Sequence, residues 1–235
     1  MGEAGLGEVP SSGVVSGNRG RSPGTAQDRA RELAERFPEA RDALEFCGSV
    51  LGLRGDWKEL RALVLEKGPA RLREAAHALT EAGLQEATAL YVGGQDRISP
   101  ASFFARVMLR RSPPRPTAAR ADRCPRCGEP PQCGCLRPQG HGSAFFLVCG
   151  VCDGEWSFAR ARCPVCGEQA VFYSADRTPH VQTQACEACR RYLHVIDLGK
   201  EPGAVPLVDE IAALALDLWA IEAGYHKIHP NLAGI

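Results

Sequence analysis

Four cysteine pairs, each with two residues between the thiols, fall between positions 124 and 189: Cys124/Cys127, Cys149/Cys152, Cys163/Cys166 and Cys186/Cys189. Both thiols of such a turn can point at one ion, so the spacing is that of a metal knuckle. Eight thiols suffice for two tetrahedral, all-thiolate sites. Small β modules lack the core to fold unaided, and a structural ion supplies about 10–16 kcal/mol toward folding. The pairs therefore predict a carboxy-terminal half of short strands organised around metal.

Twenty-one residues separate Cys127 from Cys149, and nineteen separate Cys166 from Cys186. Both gaps are near the roughly 15–20 residues of a zinc ribbon. Sequential pairing is the simplest solution. Cys124, Cys127, Cys149 and Cys152 would hold one ion, and Cys163, Cys166, Cys186 and Cys189 the other, as consecutive modules on one axis. Cross-braced pairing is the alternative. Glycine follows the knuckle directly at Gly128 and Gly167, where a left-handed backbone turns N–H groups toward sulfur. Four sulfurs suit zinc or a single iron.

Eleven cysteines would also fit a secreted disulfide scaffold. Against that, Met1–Gly24 has no apolar central run of the secretory type. No stretch approaches the roughly 18 apolar residues of a membrane helix. Metal-bound thiolates in a reducing cytoplasm are the expectation, with no membrane insertion. Lys+Arg and Asp+Glu balance at 28 each. Over positions 118–200 there are ten Lys/Arg and eight Asp/Glu. This lacks the basic excess of a nucleic-acid binder, so no nucleic acid is expected as partner.

The expected organisation is α+β. Positions 1–24, rich in Gly, Ser and charge, read as a disordered arm. Positions 25–117 read as a helical domain ending in the linker RSPPRPT. Its helices begin at Thr25, span Pro38–Val50 and Asp56–Glu66, run over Ala70–Ala82 with Gly83 as cap, and start again at Ser99-Pro100 with Phe103, Phe104, Val107 and Met108 inward. Positions 118–161 and 162–203 are the two metal modules. Strands are expected at Ser143–Val148, Glu155–Arg162, Ala170–Ser174, Val181–Ala185 and Tyr192–Leu198. Positions 204–235 are a helix and tail. That helix, Pro206–Ala223, should bury Val208, Ile211, Leu214, Ala215, Leu218 and Trp219, with Gly224 as cap.

Three further cysteines and the histidines fall outside the quartets. Cys133 and Cys135 read as thiols of the first module's long loop, incidental unless they bind a transient soft metal or form a reversible disulfide. Cys47 reads as a small core residue. His141, His180 and His194 could replace a cysteine ligand, although four complete pairs make that unnecessary. His226 and His229 read as solvent-facing or tail-packing. No Ser–His–Asp set, carboxylate pair or phosphate loop stands out, so no catalytic residue is assigned.

The run LVCGVCDGEWSFARAR at Leu147–Arg162 leads into CPVCG, FYSAD and ACEACRRYL. It closes with LVDEIAALALDLWAIEAGYHKIHPN. This order resembles the E-type formate dehydrogenase accessory (formation) proteins over residues 25–235, most strongly from Cys124 onward. The resemblance implies a helical amino-terminal part followed by two tandem rubredoxin-like modules. It implies that the eight knuckle cysteines ligate metal, with iron as the ion. It further implies a cytoplasmic, non-catalytic role in forming active respiratory formate dehydrogenase, with that enzyme's catalytic subunit as partner. Self-association stays open, and the alternatives are a rubredoxin-like electron-transfer protein and, less favoured by the neutral charge, a nucleic-acid-binding zinc ribbon. The Cys133/Cys135 pair and the Gly/Ser-rich arm have no counterpart in the family pattern.

Overall fold

The computed structural model describes residues 23–116 and 120–234. Residues 1–22 of the expected arm lie outside the described residues, as do 117–119 at the expected linker boundary.

The amino-terminal half is helical. Helix α1 spans Pro23–Arg36 and buries Ala30, Leu33 and Ala34. A 3-10 turn at Pro38–Ala40 leads into α2, Arg41–Gly52, whose inner face carries Leu44, Phe46, Cys47 and Val50. Cys47 is thus a core residue. Helix α3, Trp57–Lys67, starts at Asp56, whose carboxylate accepts from the backbone N–H of Lys58 and Glu59, a standard N-cap. The expected helix to Ala82 is corrected. Helix α4 ends at Ala78, and a new helix α5 runs over Glu81–Val92. The Thr80 hydroxyl caps α5 by accepting from Gly83 N–H at 3.1 Å, so Gly83 opens a helix rather than ending one. Ser99 and Pro100 open α6, Pro100–Leu109, as expected, and Phe103, Phe104 and Val107 face inward.

The carboxy-terminal half is a single seven-stranded sheet: β1 Pro131–Gln139, β2 Gly142–Cys149, β3 Glu155–Ser157, β4 Val171–Ser174, β5 Val181–Ala185, β6 Arg191–Asp197 and β7 His226–Lys227. The order is β3-β2-β1-β6-β5-β4, with β7 also pairing β6. Neighbours are antiparallel except β1 with β6 and β6 with β7. The parallel β1–β6 contact joins the strands of the two cysteine quartets side by side. The link expected between them, Glu155–Arg162, is a strand only at Glu155–Ser157, with a single further bridge from Arg162 to Gln169. It then turns through Ala161, which has φ 61°.

Strand β1 corrects the reading of Cys133 and Cys135 as loop thiols. Both lie on a central strand and are fully buried. The register sets Gly134 opposite Leu147, and a Cβ there would meet the Phe145 ring at 2.8 Å. The prolines at either end and a strand buried on both faces hide the usual alternation from sequence.

The expected carboxy-terminal helix is two helices, α7 Pro206–Ala212 and α8 Leu214–Glu222, broken at Ala213. The break rotates the second half. Val208 and Ile211 are buried as predicted, but α8 faces inward with Leu216, Asp217 and Ala220, and Leu218 is 53% exposed. Val205, Val208, Ile211 and Ala212 join the core of α1–α4, together with Leu232 and Ala233 from the tail. Helix α1 and the carboxy-terminal segment therefore share one apolar interior. No helix among the described residues is long and apolar enough to cross a membrane.

Candidate metal centres

The four knuckles share one backbone design. The first cysteine's N–H bonds to the carbonyl five residues on: Cys124 to Glu129, Cys149 to Gly154, Cys163 to Glu168 and Cys186 to Arg191, at 2.8–2.9 Å. The residue between takes the left-handed region: Gly128 at φ 77°, Asp153 at 54°, Gly167 at 79° and Arg190 at 56°. Glycine adopts this without a Cβ penalty, whereas an L side chain resists it by roughly 1–2 kcal/mol. Two knuckles accept that cost, and both recover contacts. The Asp153 carboxylate receives Arg110 at 2.8 Å. Arg190 bonds the Ala223 carbonyl and lies 3.8 Å over the Tyr225 ring.

These turns gather the sulfurs into the two sequential sets: Cys124, Cys127, Cys149 and Cys152, and Cys163, Cys166, Cys186 and Cys189. Within each set all four sulfurs lie within 4.8 Å of one another. Contacts of 3.4 Å link Cys124 to Cys152 and Cys127 to Cys149. In the second set Cys166 and Cys186 are 3.5 Å apart, and Cys163 and Cys189 3.6 Å. Thiolates about 2.3 Å from a central ion in a tetrahedron would be about 3.8 Å apart, so both quartets have nearly the dimensions of a metal shell. No disulfide joins the cysteines. Backbone N–H groups of Val151 and Val165 approach the sulfurs of Cys149 and Cys163 at 3.4 Å, which offsets thiolate charge. A Cβ on Gly154 would come within 3.1 Å of the Cys152 sulfur and 3.3 Å of the Cys124 sulfur. The donor set, spacing and cradle all fit a four-thiolate ion.

The centres differ in cover. The first lies in an apolar cluster with Ala87 and Tyr91 of α5, Ala105 of α6, and Trp156 and Leu193 of the sheet. Its knuckles are tied to the helices. Arg110 at the end of α6 donates to the Gly150 carbonyl at 2.9 Å, and Arg97 pairs with buried Glu129 at 3.0 Å. Trp156 donates its ring N–H to the Ala121 carbonyl. The second centre lies outside that cluster: its last knuckle is tied to the end of α8 through Arg190, Cys163 and Cys186 are buried, and Cys166 is exposed.

The histidines serve elsewhere. His180 Nε2 bonds Asp209 at 2.9 Å, and His194 Nε2 bonds Asp217 at 2.8 Å. His141 and His226 are exposed. His229 is buried in the tail, with Nε2 2.8 Å from the Tyr91 hydroxyl and Nδ1 3.0 Å from both Arg106 Nη1 and the Pro230 carbonyl. None belongs to either quartet.

Sequence reasoning missed the carboxylates behind the sheet. Asp209, Glu210 and Asp217 are completely buried. Asp209 receives Arg29 of α1 at 2.6 Å, together with His180 and the Val205 N–H, fastening the first helix to α7. Asp217 Oδ1 receives Tyr192, His194 and Lys227 at 2.7–3.0 Å. Burial would raise the Asp217 carboxyl, but the charges of His194 and Lys227 outweigh it and hold the group far below the usual carboxylate range. Lys227 also lies 3.3 Å from Glu210. The signal was the acidic positions in LVDEIAALALDLW. They fall on the inward face once the helix is broken at Ala213.

A family model described as the FdhE C-terminal domain matches residues 161–233. An FdhE homologue from Aquifex aeolicus is 34% identical over 116 residues, covering 47% of this chain and 41% of that protein. One from Pseudomonas putida is 32% identical over 118 residues, covering 46% and 37%. The matched segment thus spans about two fifths of those relatives. The crystal structure of the FdhE protein from Pseudomonas aeruginosa superposes with a TM-score of 0.64 at 20% identity, covering 91% of this chain and 96% of that one. That likeness establishes a shared fold. In keeping with its resemblance to the E-type formate dehydrogenase accessory proteins, the chain is homologous to FdhE proteins over its carboxy-terminal half.

Proposed function

We propose that this chain is a non-catalytic accessory factor in the formation of active respiratory formate dehydrogenase. It acts in the cytoplasm and binds the enzyme's catalytic subunit through a scaffold stapled by two metal ions. Cys124, Cys127, Cys149 and Cys152 hold one ion; Cys163, Cys166, Cys186 and Cys189 hold the other; the ions are iron in rubredoxin-like modules. The observation that carries this reading is the pair of complete sulfur quartets in one sheet, with the first built into the helical body. Four thiolates close the coordination sphere and leave no position for a substrate, which suits a structural ion rather than a reaction centre. The net charge of +0 supplies no general attraction for nucleic acid.

The exposed edge of the second quartet favours one rival reading, electron transfer, because Cys166 brings that centre to the surface. Replacing iron by redox-inert zinc separates the two. In a strain lacking the accessory protein, a zinc-only form is expected to restore formate dehydrogenase activity to within about twofold of the iron form. Restoration by iron alone, with equal folding of both forms, would instead assign electron transfer.

A further inference from the structure

A cleft of about 690 Å³ opens between α2, α6, α7 and the first cysteine quartet. That volume is within the range of specific ligand sites, roughly 300–1,000 Å³. Its floor is aliphatic, with Val50, Leu53, Met108, Val148 and Leu207 among the lining residues and Cys152 at the edge. Its walls carry five arginines, Arg54, Arg110, Arg111, Arg126 and Arg137, against two acids, Asp153 and Glu155. The chain as a whole is neutral, so this is a local concentration of positive charge.

The two acids are already committed. Asp153 pairs with Arg110 at 2.8 Å, and Glu155 pairs with Arg137 at 2.6 Å. Arg54 and Arg111 are exposed and have no carboxylate within ion-pair distance among the described residues. Arg126 reaches only the Cys152 carbonyl, at 3.4 Å. Two guanidiniums, Arg54 and Arg111, thus stand at the cleft without a carboxylate partner among the described residues, whereas Arg126 lies beside Asp153 and the first quartet. Guanidinium suits carboxylate through paired N–H donors. The floor has no aromatic ring on which a base could stack, so the cleft matches a carboxylate-bearing apolar segment better than a nucleic-acid strand.

We propose that this cleft is the docking surface for the client: it receives an acidic segment of the client protein whose apolar side chains fill the floor while its carboxylates meet Arg54 and Arg111. The inference rests on the accessory role proposed above. It places recognition where the helical body meets the first quartet, so the ion of that quartet fixes the spacing of the cleft's walls.

The test uses the full metal-loaded chain and the full catalytic subunit of formate dehydrogenase, with affinity measured at several salt concentrations. Arg54→Glu/Arg111→Glu is expected to weaken binding at least tenfold and to flatten its salt dependence, with metal content and melting temperature unchanged. Arg160→Glu, an exposed arginine outside the cleft, is expected to bind as the parent does. If the double variant binds as tightly as the parent, the cleft is not the docking surface although the accessory role stands. If the parent itself does not bind the subunit, the accessory role falls and the inference with it. Binding of a single-stranded oligonucleotide, or a concentration-dependent dimer, abolished by the same double substitution would assign the cleft to nucleic acid or to a second copy and overturn the proposal.

Discussion

Cys149→Ser is expected to leave the chain with one metal equivalent and to unfold the face where α5 and α6 meet the sheet. Cys163→Ser, in the second quartet, should also remove one equivalent but leave the helical body folded. The asymmetry follows from cover. Cys149 is fully buried in the cluster that includes Tyr91, Ala105 and Trp156, whereas the second quartet, although Cys163 and Cys186 are buried, lies outside that cluster and exposes Cys166. A structural four-thiolate ion contributes about 10–16 kcal/mol, comparable to the roughly 5–15 kcal/mol total stability of an ordinary domain. Loss of the first ion therefore cannot be absorbed by the packing around it. Elemental analysis, with hydrogen exchange resolved by segment, reads both effects. A chelator titration should strip the second centre first, because Cys166 is exposed. Cys135→Ser is the matched control. It places a hydroxyl in a buried strand and should lower stability by about 1–3 kcal/mol while both metal equivalents remain. Loss of an equivalent in Cys135→Ser would redraw the ligand set.

The quartets were legible because a C-x-x-C turn is local: two residues between thiols suffice to specify it, and the 21- and 19-residue gaps selected the sequential sets that the structure brings together. Helix starts were equally readable at Asp56 and Ser99, since a cap is a bond between near neighbours. What escaped depended on distant partners. Strand β1 carries no alternation because both its faces are covered, and its parallel pairing with β6 joins residues about sixty positions apart, Gly134 with Val195. The break at Ala213 has no glycine or proline to announce it, and it turns Leu218 outward and Asp217 inward. Glycine marked the left-handed turn at Gly128 and Gly167. The same turn at Asp153 and Arg190 had no compositional sign, because its cost is offset by contacts with Arg110 and Tyr225. An acidic residue in an apolar helix reads as solvated until the opposing strand is known to bring a lysine to it, as Lys227 is brought to Asp217.

Asp217→Ala is the second change expected to have a large effect, and it acts without touching either quartet. Removing the carboxylate leaves Lys227, its side chain only 4% exposed, with Glu210 as its single acidic neighbour. It also takes the acceptor from the Tyr192 hydroxyl and His194 Nε2. Breaking a buried charge pair from one side costs about 3–5 kcal/mol, because the other charge stays desolvated. Removing both members should cost less, so Asp217→Ala/Lys227→Met is expected to recover a substantial part of the loss in urea unfolding of the metal-loaded protein. The same carboxyl gives a pH signature. Its folded value is depressed by His194 and Lys227 despite burial, so the unfolded chain takes up the proton first. The stabilisation is complete above the unfolded carboxyl value of about 3.9 and is lost as pH falls through the folded one. Acid also protonates thiolates and releases metal, so the informative quantity is the stability difference between parent and Asp217→Ala. That difference should shrink as pH falls below about 4. If it is the same at pH 3 as at pH 7, or if the double variant is no more stable than Asp217→Ala, then Asp217 is not the counter-ion that allows Lys227 to be charged in the interior.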